Sequence, residues 1–532
     1  MFDVLITGGT VVDGAGTPGV VTDVGITDGK IAAIGDLSDA SADRTIDATG
    51  FTVAPGFIDT HAHSDGALLL DPQHANGLRQ GITTEILGQD GLSYAPLSPK
   101  DYLMYRQYLS GIYGLPPENI VTGSVDAFLG NYHNRTAINV AYPVPHGPVR
   151  IGAVGFHDRP LTGDALETAK TIVTEGMEQG AIGLSTGMSY FPNSWSDTDE
   201  LIELCKVVAQ HGGAYITHLR NVHPERGFGG GGVTEALEIG RRSGVNVHFS
   251  HFRTAVENAG QTADLMEEID RAKAEGVDCT LELYPYPTGS GYPMMFLPPE
   301  ANEGGPEAIL ERLQDPERRR SIAAYIDENH AGIVDNDSGI LTHVPSKRNR
   351  NLEGRSISHA ARKRGVSAGE MICDLLLEEK LTVGFLQAPP ADLAGWEQVS
   401  RDAVDLLSRD DYMVGSDSIS AHSRPHPRAY GTFPRLLGRL RRKHPVVSVE
   451  AMVQRMADNP ARRFGLKDRG RIAQGYAADV VVFDADRVID TATYDDPAQY
   501  PVGIPYVLVN GTIAVDSERC TGSMTGQALR RS

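Results

Sequence analysis

Cysteine and tryptophan are nearly missing from this chain. Its 532 residues include four cysteines and two tryptophans. The cysteines, Cys205, Cys279, Cys373 and Cys520, stand far apart, with no CxxC pair. That argues against a disulfide scaffold or a cysteine zinc site and fits a reduced, cytoplasmic setting. Long apolar runs are missing too. None approaches the roughly 18 residues needed to span a bilayer. The opening "MFDVLITGGTVVDG" has no basic stretch followed by an apolar core, so no signal peptide is expected. Positive charge is in deficit: 48 Lys and Arg stand against 69 Asp and Glu, for a formal net charge of −21. Such a surface is poorly suited to nucleic acid or an anionic membrane. The expected partner is a small molecule, and an acidic one needs fitted local cations. A homo-oligomer is compatible with these numbers.

What is present is a two-texture chain, long enough for two or three domains. Residues 1–54 are β-rich, with short apolar runs such as "DVLITGG" and "KIAAIGD" broken by Gly and Asp turns. The far end, 465–532, repeats that style in "ADVVVFDA" and "VLVNGTIAVDS". The two ends are expected to build one small β domain. Between them, 55–464 alternates β-like runs with amphipathic stretches such as "DTDELIELCKVVAQHG" and "TADLMEEIDRAKAEG". Eight β-like runs in this rhythm predict an α/β fold, a parallel (β/α)8 TIM-like barrel. A doubly wound open sheet has the same periodicity. The last run comes late, so residues from about 288 to 410 read as an insertion over the barrel mouth. "GFGGGG", at 227–232, lacks the GK[ST] tail of a phosphate loop and reads as a surface loop.

Chemistry collects where the predicted strands end. "PGFIDTHAHSDG" ends the first run with His61 and His63. In extended chain, residues i and i+2 share a face, so both imidazoles aim into one space. Alone, such a pair is equally explained as two core histidines bonded to carbonyls. But the second run ends in Asp90, the fifth in His218, the sixth in His251 and the eighth in Asp417. In a barrel those ends share one rim. Imidazole and carboxylate are the donors of hydrolytic zinc sites. Asp417, within "SDS", could otherwise cap a helix. Most of the other histidines, His74, His133, His211, His330, His359 and His444, are expected at the surface. His248 has the opposite parity to His251, and His146 lies ambiguously at the rim.

"PGFIDTHAH", the single histidines at strands five and six, Asp417 at strand eight and the tail "GRIAQGYAADVVVFD" resemble the amidohydrolase superfamily. Within it, "GAIGLSTGMSYFPNSWSDTDELI", "YPYPTGS" and "GSDSISAHSRPHPRAYGTFPRLLG" resemble the N-acyl-D-amino-acid deacylases, and the likeness runs end to end. The resemblance implies a small β-sandwich beside the barrel and one or two zinc ions. It implies deacylation of N-acyl-D-amino acids by a water that the metal activates, with Asp417 as general base and acid. Metal ligands would be His61, His63, Asp90, His218, His251 and Asp417. One ion is expected on His218, His251 and Asp90, and a weaker one on His61, His63 and Asp417, with Asp90 able to bridge. Arg428 matches the arginine that takes the substrate α-carboxylate. Arg253 falls where the family often has lysine, and Tyr190 and Tyr284 match tyrosines that line the same pocket. Asp65 and Arg220 have weaker claims. One departure is clear: the family's "GNCG" is "GQDG" here, which puts a carboxylate, Asp90, in a thiolate position. A hydantoinase-type cyclic-amide hydrolase is the alternative, but strand four, "AIGLSTGM", lacks that group's lysine. A non-catalytic metal- or ligand-binding barrel is the third reading.

Overall fold

The computed structural model describes residues 1–531. The barrel strands are Phe57–Asp59, Ile82–Ile86, Asn139–Ala141 continued by Val144–Pro145, Gly183–Gly187, Ala214–His218, Asn246–Phe249, Cys279–Leu283 and Tyr412–Val414. Neighbours pair in parallel from the first to the third and from the third to the eighth. The circle closes where Thr60 N donates to Val414 O (3.3 Å) and Ala62 pairs with Ser418. The chain is therefore the expected closed barrel and not an open sheet.

Amphipathic helices follow the middle strands: Asp164–Glu178, Thr198–Gln210, Gly232–Ser243 and Thr262–Ala274. The second of these starts where Asp197 accepts a hydrogen bond from Glu200 N (2.8 Å), which satisfies one of the free amides of the first turn. Among the described residues, no helix is long and apolar enough to cross a membrane.

Both chain ends enter one nine-stranded sheet. Within it, Thr52–Pro55 lies between Phe2–Val11 and Val480–Phe483, antiparallel to the latter. Strand alternation welds this sheet to the barrel. Val480 and Val482 face a small core with Val24, Ile26 and Ile46, while Val481 and Phe483 face the main core. A third unit rises between the seventh and eighth barrel strands. Ser290–Gly291, Gly339–His343 and Gly384–Gln387 form an antiparallel sheet; the helix Ile357–Arg364 packs on Gly339–His343, and the helices Pro316–Asn329 and Ala368–Glu378 pack on each other. The helix Leu393–Leu407 then rejoins the ring beside Thr262–Ala274.

Buried Asp479 ties the terminal sheet to the barrel. Its Oδ2 accepts from Asn139 Nδ2 (3.0 Å) in the third strand and pairs with Arg469, and its Oδ1 accepts from Asn510 N (2.8 Å). Removing one member of a buried ion pair strands the other charge, at about 3–5 kcal/mol. Asp479→Ala is expected to lower the calorimetric unfolding midpoint by several degrees. An unchanged midpoint would show that this junction is solvated rather than buried.

Candidate metal centre

All six predicted ligands come together at the C-terminal end of the barrel. His61 and His63 follow the first strand, with ring centroids 5.2 Å apart. Asp90 lies in the loop after the second strand, His218 ends the fifth, His251 follows the sixth and Asp417 follows the eighth. His61 Nε2 is 3.6 Å from Asp90 Oδ1 and 3.8 Å from Asp417 Oδ1. His63 Nε2 is 3.5 Å from Asp90 Oδ2 and 3.3 Å from Asp417 Oδ1. His218 Nδ1 is 3.6 Å from Asp90 Oδ2 and 2.9 Å from His251 Nε2.

These spacings suit a cation. Two donors on one tetrahedral zinc, each about 2.1 Å from it, lie about 3.4 Å apart. Two compact donor groups result, His61 with Asp90 and His251, and His61 with His63 and Asp417. The buried His61 Nε2 and Asp90 Oδ1 have no hydrogen-bond partner among the described residues. Buried polar atoms left bare cost about 1–3 kcal/mol each, so the convergence calls for a positive ion between them. The donors are imidazoles and carboxylates with no thiolate, a set that accepts zinc and harder divalent metals alike. Asp90 turns one oxygen to His61 and the other to His63 and His218, the posture of a bridging carboxylate.

Three of the six sit in left-handed backbone: Asp90 at φ 58°, His251 at 39° and Asp417 at 52°. Such residues cost on the order of 1–3 kcal/mol and persist where neighbours over-determine them. Here the neighbours are buried polar groups. Asp65 accepts from Gly88 N (3.1 Å) and Ser93 Oγ (2.5 Å), and Ser185 Oγ accepts from Gly91 N (2.9 Å), which together hold the "GQDG" loop. Gly91 itself has φ 64°, and a Cβ there would lie 2.1 Å from Asn193 Oδ1. Asp417 N donates to His61 O (2.7 Å), and Ser416 N donates to Asp59 Oδ1 (2.8 Å). His251 N donates to Glu282 Oε1 (3.3 Å).

Electrostatics set the charge states. Burial alone would raise the Asp417 carboxyl, but Arg428, His63 and His61 hold it well below the usual carboxylate range. Burial opposes the charge on Asp90 as well, yet His61 and His218 hold its carboxyl low. Burial, with His218 beside it, pushes His251 down to about 3, so its imidazole is neutral, the form that binds metal.

Three of the four predicted substrate residues, Tyr190, Tyr284 and Arg428, line the same space, and Arg253 does not. Arg428 Nη1 lies 2.8 Å from Asp417 Oδ2, and its Nη2 donates to Ser290 Oγ (3.1 Å). Nη1 is thus engaged in an ion pair, while Nε has no hydrogen-bond partner among the described residues although the side chain is buried. Arg428 and Arg253 both lie over the Tyr284 ring, at 4.7 and 4.4 Å, and Arg253 Nη2 donates to Tyr284 OH (3.0 Å). The Tyr190 ring lies against His218 at 5.1 Å. Arg220 is elsewhere engaged, buried on Glu235 at 2.7 Å. His146 bonds to Glu200 (2.8 Å), outside the donor ring.

Sequence reasoning missed Glu282. It is fully buried in the seventh strand, and its Oε1 lies 2.5 Å from His61 Nδ1. Its other oxygen reaches Thr60 Oγ1 and His248 Nε2. An Nδ1–H given to Glu282 leaves the Nε2 lone pair facing the cavity. The available signal was a lone glutamate inside the apolar run "CTLELY". Two histidines expected at the surface are buried instead: His74 pairs with Glu85 at 2.6 Å and His444 with Glu397 at 3.3 Å. His211 and His330 are half-buried. Glu282→Gln is expected to weaken metal binding about 10- to 100-fold, read by chelator competition and metal analysis. Undiminished metal retention would reduce Glu282 to a packing role.

Residues 44–515 match the model of the amidohydrolase family. The chain is 32% identical to a D-aminoacylase of Alcaligenes xylosoxydans xylosoxydans, over 100% of this chain and 98% of that protein. It is 35% identical to an N-acyl-D-glutamate deacylase from the same organism, over 100% and 97%. It also resembles the crystal structure of an N-acyl-D-glutamate deacylase from Bordetella bronchiseptica, complexed with zinc and a phosphonate mimic of the tetrahedral intermediate. There the TM-score is 0.81 and the identity 31%, over 99% of both chains. The donor ring thus sits in a chain that belongs to the amidohydrolase family.

Proposed function

We propose that this protein is a zinc-dependent amide hydrolase that deacylates N-acyl-D-amino acids to a carboxylate and a free D-amino acid. The observation that carries this reading is one shared space. The donor ring and the buried Arg428 guanidinium border the same cavity of about 190 Å³. A scissile amide and a free carboxylate on one small molecule would meet both at once. The relatives named for D-aminoacylase and N-acyl-D-glutamate deacylase activity support the substrate class. The fourth strand, Gly183–Gly187, carries no lysine, which counts against a cyclic-amide hydrolase of the hydantoinase type.

His61, His63, Asp90, His218, His251 and Asp417 would hold one or two ions. A bound divalent ion would supply Lewis-acid polarisation of the amide carbonyl and lower the pKa of water toward neutrality. Asp417 is ionised at rest. It takes a proton from the attacking water while Arg428 stays paired with its Oδ2. It then returns the proton to the leaving nitrogen, which cannot depart as an amide anion. Arg428 and Tyr284 orient the substrate carboxylate, because a guanidinium can give two parallel hydrogen bonds to it.

Turnover of N-acyl-D- over N-acyl-L-amino acids by metal-loaded protein tests the assignment, and metal removal is expected to abolish it. Full activity in a preparation shown to be metal-free would end the hydrolytic-metal reading. Asp90→Ala is expected to lose metal more severely than Asp417→Asn, which should keep most of its metal and lose turnover. The reverse order on metal analysis would exchange their roles. Arg428→Lys keeps the charge but loses the fork, and a lost charge-assisted hydrogen bond is worth about 10- to 150-fold in kcat/KM. That loss should appear on a free-carboxylate substrate and not on its carboxamide analogue. Equal losses on both would make Arg428 structural.

A further inference from the structure

The cavity lining has two chemically unlike parts. One carries the metal-ligand candidates, Arg428 and Tyr284. The other comprises Ile112, Met295, Ile333, Phe385 and Ile419 with Gly291 and the neutral amide of Gln387, and it contains no charged side chain. We propose that this apolar wall receives the side chain of the substrate amino acid, so that the enzyme acts on N-acyl derivatives of apolar D-amino acids and discriminates against acidic ones. This rests on the deacylase reading and sharpens it, because the relatives differ on this very point: one is named for D-glutamate and another for D-amino acids generally.

The placement follows from covalent order. In an N-acyl amino acid, the α-carbon joins the carboxylate, the amide nitrogen and the side chain. With the carboxylate on Arg428 and the amide at the donor ring, the side chain leaves from the point between them. Arg428 Nη2 donates to Ser290 Oγ, and the next residue, Gly291, opens the apolar wall. A Cβ at Gly291 would meet Met295 Sδ at 3.4 Å and Phe385 Cε1 at 3.6 Å. The missing side chain at 291 is therefore part of the cavity. Ile112, Phe385 and Ile419 are buried and Phe385 packs on Phe296 with centroids 4.8 Å apart, while half-buried Ile333 and exposed Met295 form the outer edge of the wall.

Charge decides the selectivity. The charged lining groups are Arg428, Asp417 and three histidines of the donor ring. Arg253 donates to the Tyr284 hydroxyl and the Thr254 carbonyl and does not line the cavity. A second carboxylate on the substrate would be desolvated against isoleucine and phenylalanine with no cation to meet it. Burial of an unpaired charge is far costlier than the loss of a few methylene contacts.

The test is a kcat/KM panel with metal-loaded enzyme, in which N-acetyl-D-leucine, -D-methionine and -D-alanine are compared with N-acetyl-D-glutamate and -D-aspartate. N-Acetyl-D-leucine is expected to exceed N-acetyl-D-glutamate by about 100-fold or more. Gly291→Val fills the opening with a residue that suits a strand. It should lower the leucine-to-alanine ratio by about 10-fold, and leave the ratio of butanoyl to acetyl substrates unchanged. Efficient turnover that favours glutamate or aspartate overturns the apolar subsite and leaves the deacylase reading intact. A shift in acyl-length preference with no change in side-chain preference overturns it too, by assigning the wall to the acyl group. No turnover of any N-acyl-D-amino acid overturns the deacylase reading and this inference with it.

Discussion

A buried carboxylate under the histidines organises the site. Glu282 lies at the floor of the donor ring, takes His61 Nδ1 on one oxygen and reaches His248 and Thr60 with the other. It also receives the His251 amide. One side chain on the seventh strand thus sets the tautomer of a ligand after the first and the backbone of a ligand after the sixth. Burial would raise the Glu282 carboxyl, but His61 and His248 hold it far below the usual range, so the floor is an anion. Above it lie two more carboxylates, Asp90 and Asp417, and the excess negative charge favours a divalent cation in the ring.

The rest of the barrel mouth supports that arrangement. Three donors in left-handed backbone are a concentration of strain, and each is pinned by buried polar groups: Asp65 and Ser185 for the "GQDG" loop, Asp59 for the turn at Asp417, Glu282 for His251. An acidic chain also needs cations where an acidic substrate must bind. Arg428 and Arg253 are held over one tyrosine ring, where cation–π attraction partly replaces lost hydration. The excursion between strands seven and eight completes the enclosure, with Gly291 and Phe385 as wall residues.

The terminal sheet takes part from the side. Val480–Phe483 packs alternate residues into two cores, so the sheet cannot shift without disturbing the barrel. A loop from the same half places the Tyr494 hydroxyl 2.8 Å from Thr288 Oγ1 and 3.1 Å from His426 Nε2. His426 Nδ1 in turn accepts from Arg428 N (3.1 Å). The loop that carries the carboxylate-binding candidate is therefore braced by residues from the far end of the chain.

What the sequence determined by itself was whatever short-range periodicity and local chemistry encode. Alternation in "GFIDTHAH" put His61 and His63 on one side, eight β-like runs separated by mostly helical stretches implied a barrel, and strand-end position picked out Asp90, His218, His251 and Asp417. These inferences need only the period of a strand and the geometry of a rim. Glu282 was not legible, because its meaning depends on His61, 221 positions away, lying across the barrel floor. His74 and His444 were misread for the same reason, since burial is a property of neighbours brought in by folding. The apolar wall draws on Ile112, Met295, Ile333, Phe385 and Ile419, from segments with no common pattern, and only closure of the excursion over the mouth sets them side by side. Side-chain chemistry and spacing are local and survive in one dimension. Which groups share a tautomer, a cavity or a charge is decided by long-range packing, and only the tertiary structure contains it.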